Sequence, residues 1–151
     1  MKLLTETNTK LLSTSLLFLR CTVGTVLFMV GAGKVFGWFG GYGLEATIHA
    51  FVTMSGIPAP LAYLSTFTEL IGGFMLIVGL LTRPVALAVM INMFVATAFM
   101  WSHGFIAADG AAWPFSLMVS AIVILLAGPM AYSIDFWLSK RGSPGTPAQL
   151  N

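Results

Sequence analysis

The sequence predicts an all-α integral membrane protein: a bundle of four transmembrane helices with a short amphipathic helix in the first outer loop. Two observations lead to this prediction. Of the 151 residues, 58% are hydrophobic and only 8% are charged, whereas a soluble domain carries roughly 25% charged residues. The apolar residues also fall into four runs, and about 20 mainly apolar residues suffice to cross a bilayer as a helix.

The four predicted helices contain few polar residues. The first is interrupted by Arg20 and Lys34, the second contains Glu69, and the fourth contains Asp135 near its end. Because Arg20 breaks the apolar part of the first run and no Ala-x-Ala pattern follows, we interpret it as an uncleaved helix and not as a signal peptide. The predicted helices cover residues 12–36, 59–81, 84–102 and 113–138.

The connections between these helices differ in length. Residues 80–84 form a tight turn, in which Pro84 suits the first turn of the next helix. The longer outer connection opens with the glycine-rich stretch GWFGGYG at residues 37–43. Residues 44–55 follow as an amphipathic helix, with Leu44, Ile48, Phe51 and Ser55 on one face. We expect this helix to lie at the membrane surface or to fold back toward the bundle.

The distribution of basic residues predicts the orientation. Only Lys34 is expected on one side of the membrane, and the other side carries six basic residues, which the positive-inside rule makes cytoplasmic. The N-terminal segment 1–11 and a flexible tail, 139–151, are then both cytoplasmic, and residues 12–138 form one transmembrane domain. The six residues are Lys2, Lys10, Arg20, Arg83, Lys140 and Arg141.

Several classes of protein are excluded by composition. The net charge of +2 is too small, and too scattered, for nucleic-acid binding. The single cysteine, Cys21, excludes an intramolecular disulfide and a CxxC redox centre. The two histidines lack metal-ligand spacing, so no metal site is predicted. Gly33 and Gly37 form a GxxxG spacing, which favours close helix packing, and a bundle with such faces is open to self-association as a homo-oligomer.

Four stretches together resemble the DoxX family of small bacterial and archaeal membrane proteins. They are LRCTVG with FMVGAGKVFG within residues 19–37, FGGYG at 39–43, TELIGG leading to GLLTR within 68–83, and GPMAYSID at 128–135. Met130 stands where the family commonly has a second glycine. The resemblance implies a four-helix bundle in a bacterial or archaeal cytoplasmic membrane and an association with redox chemistry. One branch of that family supplies the membrane subunit of thiosulfate:quinone oxidoreductase.

Glu69 and Lys34 are the candidate catalytic residues, because an ionisable group within a membrane span is costly and is retained for a partner or a task. In a functional interpretation Glu69 accepts a proton with the help of a histidine, His49 or His103. Lys34 then stabilises an anionic substrate or a reduced quinone, and the ring packs on one of two aromatic side chains, Trp101 or Phe39.

A structural interpretation of the same residues stays open. Glu69 and Lys34 would form a buried pair, and Thr66 and Asn92 would satisfy its spare hydrogen bonds. Thr66 and Asn92 are therefore candidates for binding a quinone or for structural bridging, and bridging is favoured for both. For the two histidines, an ordinary surface role is favoured over catalysis.

A second polar set lies toward the predicted cytoplasmic side. Arg20 and Asp135 sit at similar shallow depths in the first and last helices, so an ion pair between them would tie these helices together. Arg83 would join this ion pair or compete with Arg20 for Asp135. The alternative is a cytoplasmic docking or substrate site.

Three functions fit these observations. The first is the membrane subunit of an oxidoreductase system that exchanges electrons with quinone, together with a soluble or membrane oxidoreductase subunit. The second is a membrane anchor or assembly factor for a soluble oxidoreductase, and the third is a small-anion transporter. No cofactor is evident in the residues themselves, and whether the chain has activity alone is left open. Quinone enters only through the resemblance.

Overall fold

The computed structural model of the protein describes residues 9–129 and 132–141, and within these residues it is all-helical. The predicted all-α class is confirmed. Residues 1–8, Met130, Ala131 and residues 142–151 lie outside the described part of the chain, and with them Lys2, most of the predicted N-terminal segment and most of the predicted flexible tail. The helices are α1 (Thr9–Phe36), α2 (Leu44–Ser55), α3 (Ala59–Val78), α4 (Thr82–Met100), α5 (Ala112–Ala127) and α6 (Ile134–Arg141). Short 3₁₀ turns cover Trp38–Gly40 and Trp101–His103.

Three of these helices, α1, α3 and α4, are long and apolar enough to cross a membrane, and α5 is a shorter apolar helix of 16 residues. Large apolar side chains are exposed along all four helices, for example Phe18, Ile71, Phe94 and Leu126. A soluble protein does not expose so large an apolar surface. The chain is therefore a multi-pass membrane protein whose outer surface meets lipid.

The predicted fourth helix, residues 113–138, is wrong at its end. The helix stops at Ala127, and a separate helix, α6, begins at Ile134. Gly128 has a φ of 71°, a backbone conformation that glycine adopts without strain, and Pro129 cannot continue the backbone hydrogen bonding. Asp135 consequently lies outside the membrane-spanning helices, in the first turn of α6.

The interior of the bundle lies where α1 packs on α3 and α4 packs on α5, the two most extensive helix contacts. Leu27 of α1, Leu76 of α3, Met93 of α4 and Ile124 of α5 are almost completely buried there. These side chains come from all four apolar helices, so the core is shared and the helices form one bundle.

Glycines bring the backbones of α1 and α3 close together. A Cβ atom built on Gly73 would lie 2.5 Å from the backbone nitrogen of Phe28, and one on Gly24 would lie 2.7 Å from the carbonyl oxygen of Gly73. Gly31 faces the backbone of Leu70 with equally little space. Because the obstacles are backbone atoms, no rotamer change makes room for a side chain. The α1–α3 contact is the small-residue type common in membrane helices.

The helix α2 folds back onto the bundle and packs against α1 and α3, with Thr47 and Ile48 buried. The preceding loop reverses the chain through Gly37 and Gly43, both with positive φ. The Gly33 carbonyl oxygen accepts hydrogen bonds from the backbone nitrogens of Gly37 at 3.0 Å and Gly43 at 3.3 Å. The loop is therefore tied to the last turn of α1.

At the opposite end of the bundle, Asp135 caps the start of α4. Its carboxylate accepts hydrogen bonds from the backbone nitrogens of Leu81 at 2.8 Å and Thr82 at 2.7 Å. Its own backbone nitrogen donates to the Gly79 carbonyl oxygen at 3.1 Å. The first N–H groups of a helix have no partner within the helix and carry a partial positive charge, so a carboxylate stabilises them.

The predicted ion pair between Arg20 and Asp135 is not formed within the described residues. Arg20 is buried, donates to the Tyr132 carbonyl oxygen at 2.8 Å and lies against Gly79, while Arg83 lies against Gly128. Both arginines thus sit beside the C-terminal end of another helix, where a cation is favourable. Arg20 of α1 therefore contacts the segment before α6 through the Tyr132 carbonyl oxygen and not through the Asp135 carboxylate.

We expect adjacent glycines of α3 to respond oppositely to alanine. Gly73→Ala should lower the unfolding free energy by about 1–3 kcal/mol, because the added methyl group collides with backbone. Gly72→Ala is the matched control: its Cβ would meet side-chain atoms of Val89 and Val85 at 3.4 and 3.5 Å, an ordinary contact. It should be neutral or stabilising, since alanine favours a helix interior over glycine by about 1 kcal/mol. Thermal unfolding of both variants in one detergent tests this, and equal melting temperatures would contradict the close contact.

The Asp135 cap predicts a pH-dependent contribution to stability. Partial burial opposes ionisation of this carboxyl, but hydrogen bonds from Thr82 and Leu81 and the nearby charge of Arg20 outweigh it, so the pKa of Asp135 is lowered. A lowered folded-state pKa means that the stabilisation is complete above the ordinary carboxyl pKa of about 4 and declines as the pH falls through the lowered value.

Asp135→Ala should accordingly lower the unfolding free energy at pH 7 by about 1 kcal/mol, the usual loss of a helix cap. The difference from the parent protein should shrink as the pH is taken below about 4. Denaturant unfolding across this pH range measures it, with Ser139→Ala as a control on the same helix. A difference that is absent at pH 7, or that persists unchanged in acid, would show that the cap does not act through its charge.

Candidate functional site

Lys34 of α1 and Glu69 of α3 form an ion pair inside the bundle. The Lys34 Nζ donates a hydrogen bond to Glu69 Oε1 at 2.8 Å and lies 2.6 Å from Oε2. The pair sits one helical turn beyond Gly31, where that glycine lets α1 approach the backbone of α3 at Glu69 and Leu70. Close backbone packing therefore brings the two charged groups into contact.

The Lys34 side chain is directed into the bundle. Lys34 lies in the last turn of α1, and Cα–Cβ bonds in a helix tilt toward its N-terminus. Its ammonium group is thereby aimed back along α1 toward Glu69. The side chains of Lys34 and Glu69 are 23% and 4% exposed, so the pair is open on the lysine side and closed around the carboxylate.

Further polar groups surround the buried carboxylate. Thr66 lies one turn before Glu69 on the same face of α3 and is fully buried. The side-chain amide of Asn92, from α4, adjoins the Glu69 carboxylate. Within the described residues, Thr66 Oγ1, Asn92 Nδ2 and the Glu69 Oε2 atom that pairs with Lys34 are buried without a hydrogen bond of standard geometry. Buried polar atoms are normally satisfied, so this cluster has unused capacity to bind a polar group.

The helix α2 borders the lysine side of the pair and leaves it partly open. The Phe51 ring centroid lies 5.2 Å from Lys34 Nζ, a cation–π distance. Thr47 Oγ1 donates to the backbone carbonyl oxygen of Lys34 at 3.3 Å. The sequence placed Phe51 on the apolar face of α2 but did not associate it with the site, because only the fold of the glycine-rich loop brings α2 over Lys34.

The other predicted site residues are exposed, and their described contacts are made elsewhere. Trp101 packs on Phe105 with ring centroids 5.7 Å apart, and Phe39 packs edge-to-face on Trp38 at 6.4 Å. His49 is exposed on α2 and His103 in the turn after α4. The structure thus brings together Lys34, Glu69, Thr66 and Asn92, and the contacts described for the aromatic and histidine candidates do not join them to this cluster.

The cluster combines a hydrogen-bond donor of positive charge, a proton-accepting carboxylate, an amide and a hydroxyl. Chemically, such a set can donate hydrogen bonds to acceptor oxygens and can accept or release a proton. Over residues 9–129 and 132–141, no group of three or more His, Cys, Asp or Glu side chains is arranged to hold a metal ion.

Comparison with protein families matches residues 15–104 to the DoxX family, over α1 to α4. The matched segment contains the whole cluster of Lys34, Glu69, Thr66 and Asn92, whereas the stretch at 128–135 lies beyond it. Comparison with curated proteins and with solved structures gives no significant match. Since the match covers more than half of the sequence, the chain belongs to the DoxX family.

Proposed function

We propose that the chain is the membrane subunit of an oxidoreductase system and that the Lys34–Glu69 pair binds the head of a quinone. The observation that carries the proposal is the buried ion pair with Thr66 and Asn92 beside it, whose Oγ1 and Nδ2 atoms form no hydrogen bond of standard geometry within the described residues. A purely structural pair in a lipid-exposed bundle is expected to have its hydrogen bonds satisfied. A buried hydroxyl and amide without hydrogen bonds of standard geometry beside a charge instead favour a polar ligand with acceptor oxygens.

A quinone head matches this set of groups. Reduction to the quinol takes up two electrons and two protons and converts both carbonyl groups to hydroxyls. The Lys34 ammonium donates a hydrogen bond to one carbonyl oxygen and stabilises the negative charge that the oxygen gains. Glu69, which keeps the ammonium oriented through one carboxylate oxygen, takes up a proton from the aqueous phase on the other and passes it to the reduced head. The second proton also comes from water.

The electrons are supplied by a partner oxidoreductase subunit that carries its own redox centre. The chain has one cysteine and therefore no dithiol of its own. In this proposal the chain provides the lipid-side binding site, and the partner provides the oxidation. A chain that only anchors or assembles such a partner would need neither spare donors nor a buried carboxylate.

Phe51 takes the ring-packing role that the sequence analysis gave to Phe39 or Trp101. Its ring already lies over the Lys34 ammonium. A quinone ring that enters on the exposed side of Lys34 would pack against the Phe51 ring in a stacked or edge-to-face arrangement. Such packing favours planar ligands.

We also propose a membrane and an orientation for the chain. The chain would lie in the cytoplasmic membrane of a bacterium or archaeon, with α5 as a fourth crossing and both termini in the cytoplasm. Arg83, Lys140 and Arg141 lie at the end of the bundle where α3 ends and α4 begins, and Lys34 lies toward the other end. The positive-inside rule favours the first end as cytoplasmic.

Reporter fusions after Arg141 and within the α4–α5 loop test this orientation. A C-terminus outside the cytoplasm would contradict it.

Quinone binding is expected to depend on the buried carboxylate. Purified protein in detergent is titrated with a soluble short-chain quinone, and binding is followed by quenching of tryptophan fluorescence. Glu69→Gln should weaken binding at least tenfold, because the amide cannot hold the Lys34 ammonium as an ion pair (tenfold corresponds to about 1.4 kcal/mol). Glu45→Gln makes the same chemical change at an exposed position of α2 and should bind as the parent does. A parent protein that binds no quinone, or equal affinities of the parent and Glu69→Gln, would overturn the proposal.

Stability measurements separate the contribution of the Lys34–Glu69 pair to folding from its contribution to quinone binding. Lys34→Met alone should lower the unfolding free energy by about 3–5 kcal/mol, since it leaves Glu69 buried without a counter-charge. The double variant Lys34→Met with Glu69→Leu should regain most of this loss, because an apolar pair replaces the ion pair at little cost. The double variant should still bind no quinone. If it binds quinone like the parent, the pair is not the binding site.

A further inference from the structure

The short helix α6 carries an exposed apolar stripe that ends in a cation. Ile134, Trp137 and Leu138 lie at helical positions i, i+3 and i+4, and all three are exposed. Arg141 follows at i+7 on the same face. A soluble protein would bury such a stripe, but here it lies on the outside of the bundle.

The cations of α6 rest on its aromatic rings. The Arg141 guanidinium carbon lies 3.5 Å from the centroid of the Trp137 ring, and Lys140 Nζ lies 4.6 Å from that of Phe136. These stacks restrict both long side chains, so less freedom is lost when they bind an anion. No ion pair with an acidic residue occupies either cation within the described residues.

The position of α6 is fixed relative to the membrane-spanning helices. The Asp135 carboxylate and backbone nitrogen bind the turn that joins α3 to α4. At this turn Arg83 is exposed and lies beside Gly128, the residue that ends α5. The stripe and three exposed cations therefore share the end of the bundle at which the apolar surface of α3, α4 and α5 stops.

The exposed charges at the other end of the bundle, near α2 and the α4–α5 loop, are negative. The exposed charged residues there, within the described chain, are Glu45 and Asp109, and the ammonium group of Lys34 is turned inward to Glu69. The exposed positive charge is therefore concentrated around α6 and the α3–α4 turn.

We propose that α6 and Arg83 form a binding surface for the headgroups of anionic phospholipids. Trp137 and Leu138 enter the interfacial layer of the bilayer, while Arg83, Lys140 and Arg141 bind the phosphate groups. Aromatic side chains beside lysine and arginine suit the boundary between headgroups and acyl chains. Leu81 and Leu126, near the same end of the bundle, are exposed apolar side chains as well, which favours lipid over a water-soluble protein as the occupant.

The full-length protein in a non-ionic detergent tests this surface by native mass spectrometry. Short-chain phosphatidylglycerol is compared with phosphatidylcholine of the same chain length. The parent protein should prefer phosphatidylglycerol, and the preference should fall when the salt concentration is raised before exchange, because salt screens exposed charges. Lys140→Gln with Arg141→Gln should lower the affinity for phosphatidylglycerol about tenfold.

Two controls define the result. Ser102→Glu with Ala108→Glu makes the same change in net charge at the opposite end and should keep the preference. Lys140→Arg with Arg141→Lys keeps the charge and should also keep it, which guards against loss through misfolding of the neutral variant. A parent protein without a preference, a neutral variant that retains it, or equal loss in the opposite-end control would each overturn the proposal. The first outcome would point to a protein partner for α6.

Discussion

The arrangement of this bundle depends on the requirement that a charge held among membrane helices have a partner. An isolated charged side chain at the centre of a span costs about 2.5–3.5 kcal/mol or more, and the ion pair gives Lys34 and Glu69 each a counter-charge. The contact lies beside a region in which α1 and α3 approach closer than ordinary side chains allow. Gly24, Gly31 and Gly73 permit this approach, so the glycines and the charges form one structural unit.

The Lys34–Glu69 pair also contacts α2, which packs against the bundle. The glycine-rich loop after α1 reverses the chain and brings α2 back, so that Phe51 lies over Lys34. On the inner side, the carboxylate adjoins Asn92, and Thr66 lies one helical turn away. One ion pair thus has an aromatic residue on its open side and neutral polar groups on its closed side. This asymmetry is the basis of the proposal that the site binds a planar molecule with carbonyl oxygens.

Much of this could be predicted from the sequence, because hydropathy and length determine where helices cross a bilayer. The amphipathic helix at 44–55 and the pairing of Lys34 with Glu69 were among the expectations. The break at Gly128 was missed because apolar residues continue beyond it, although the dipeptide Gly128–Pro129 is typical of a helix end. For the same reason Asp135 was assigned to Arg20, although it caps α4. Phe51 was missed because the path of a loop with several flexible glycines cannot be read from residue spacing.

Infrared difference spectroscopy of the protonation state of Glu69 tests the central claim most directly. The protein is reconstituted in liposomes with a quinone, and spectra are recorded before and after chemical reduction to the quinol. If Glu69 passes protons to the reduced head, the spectra contain a change in the carboxyl C=O and carboxylate bands that is absent from Glu69→Gln and retained in Glu45→Gln. Identical difference spectra for the parent protein and Glu69→Gln would contradict a role for this carboxylate in quinone chemistry and would leave the ion pair as a structural contact.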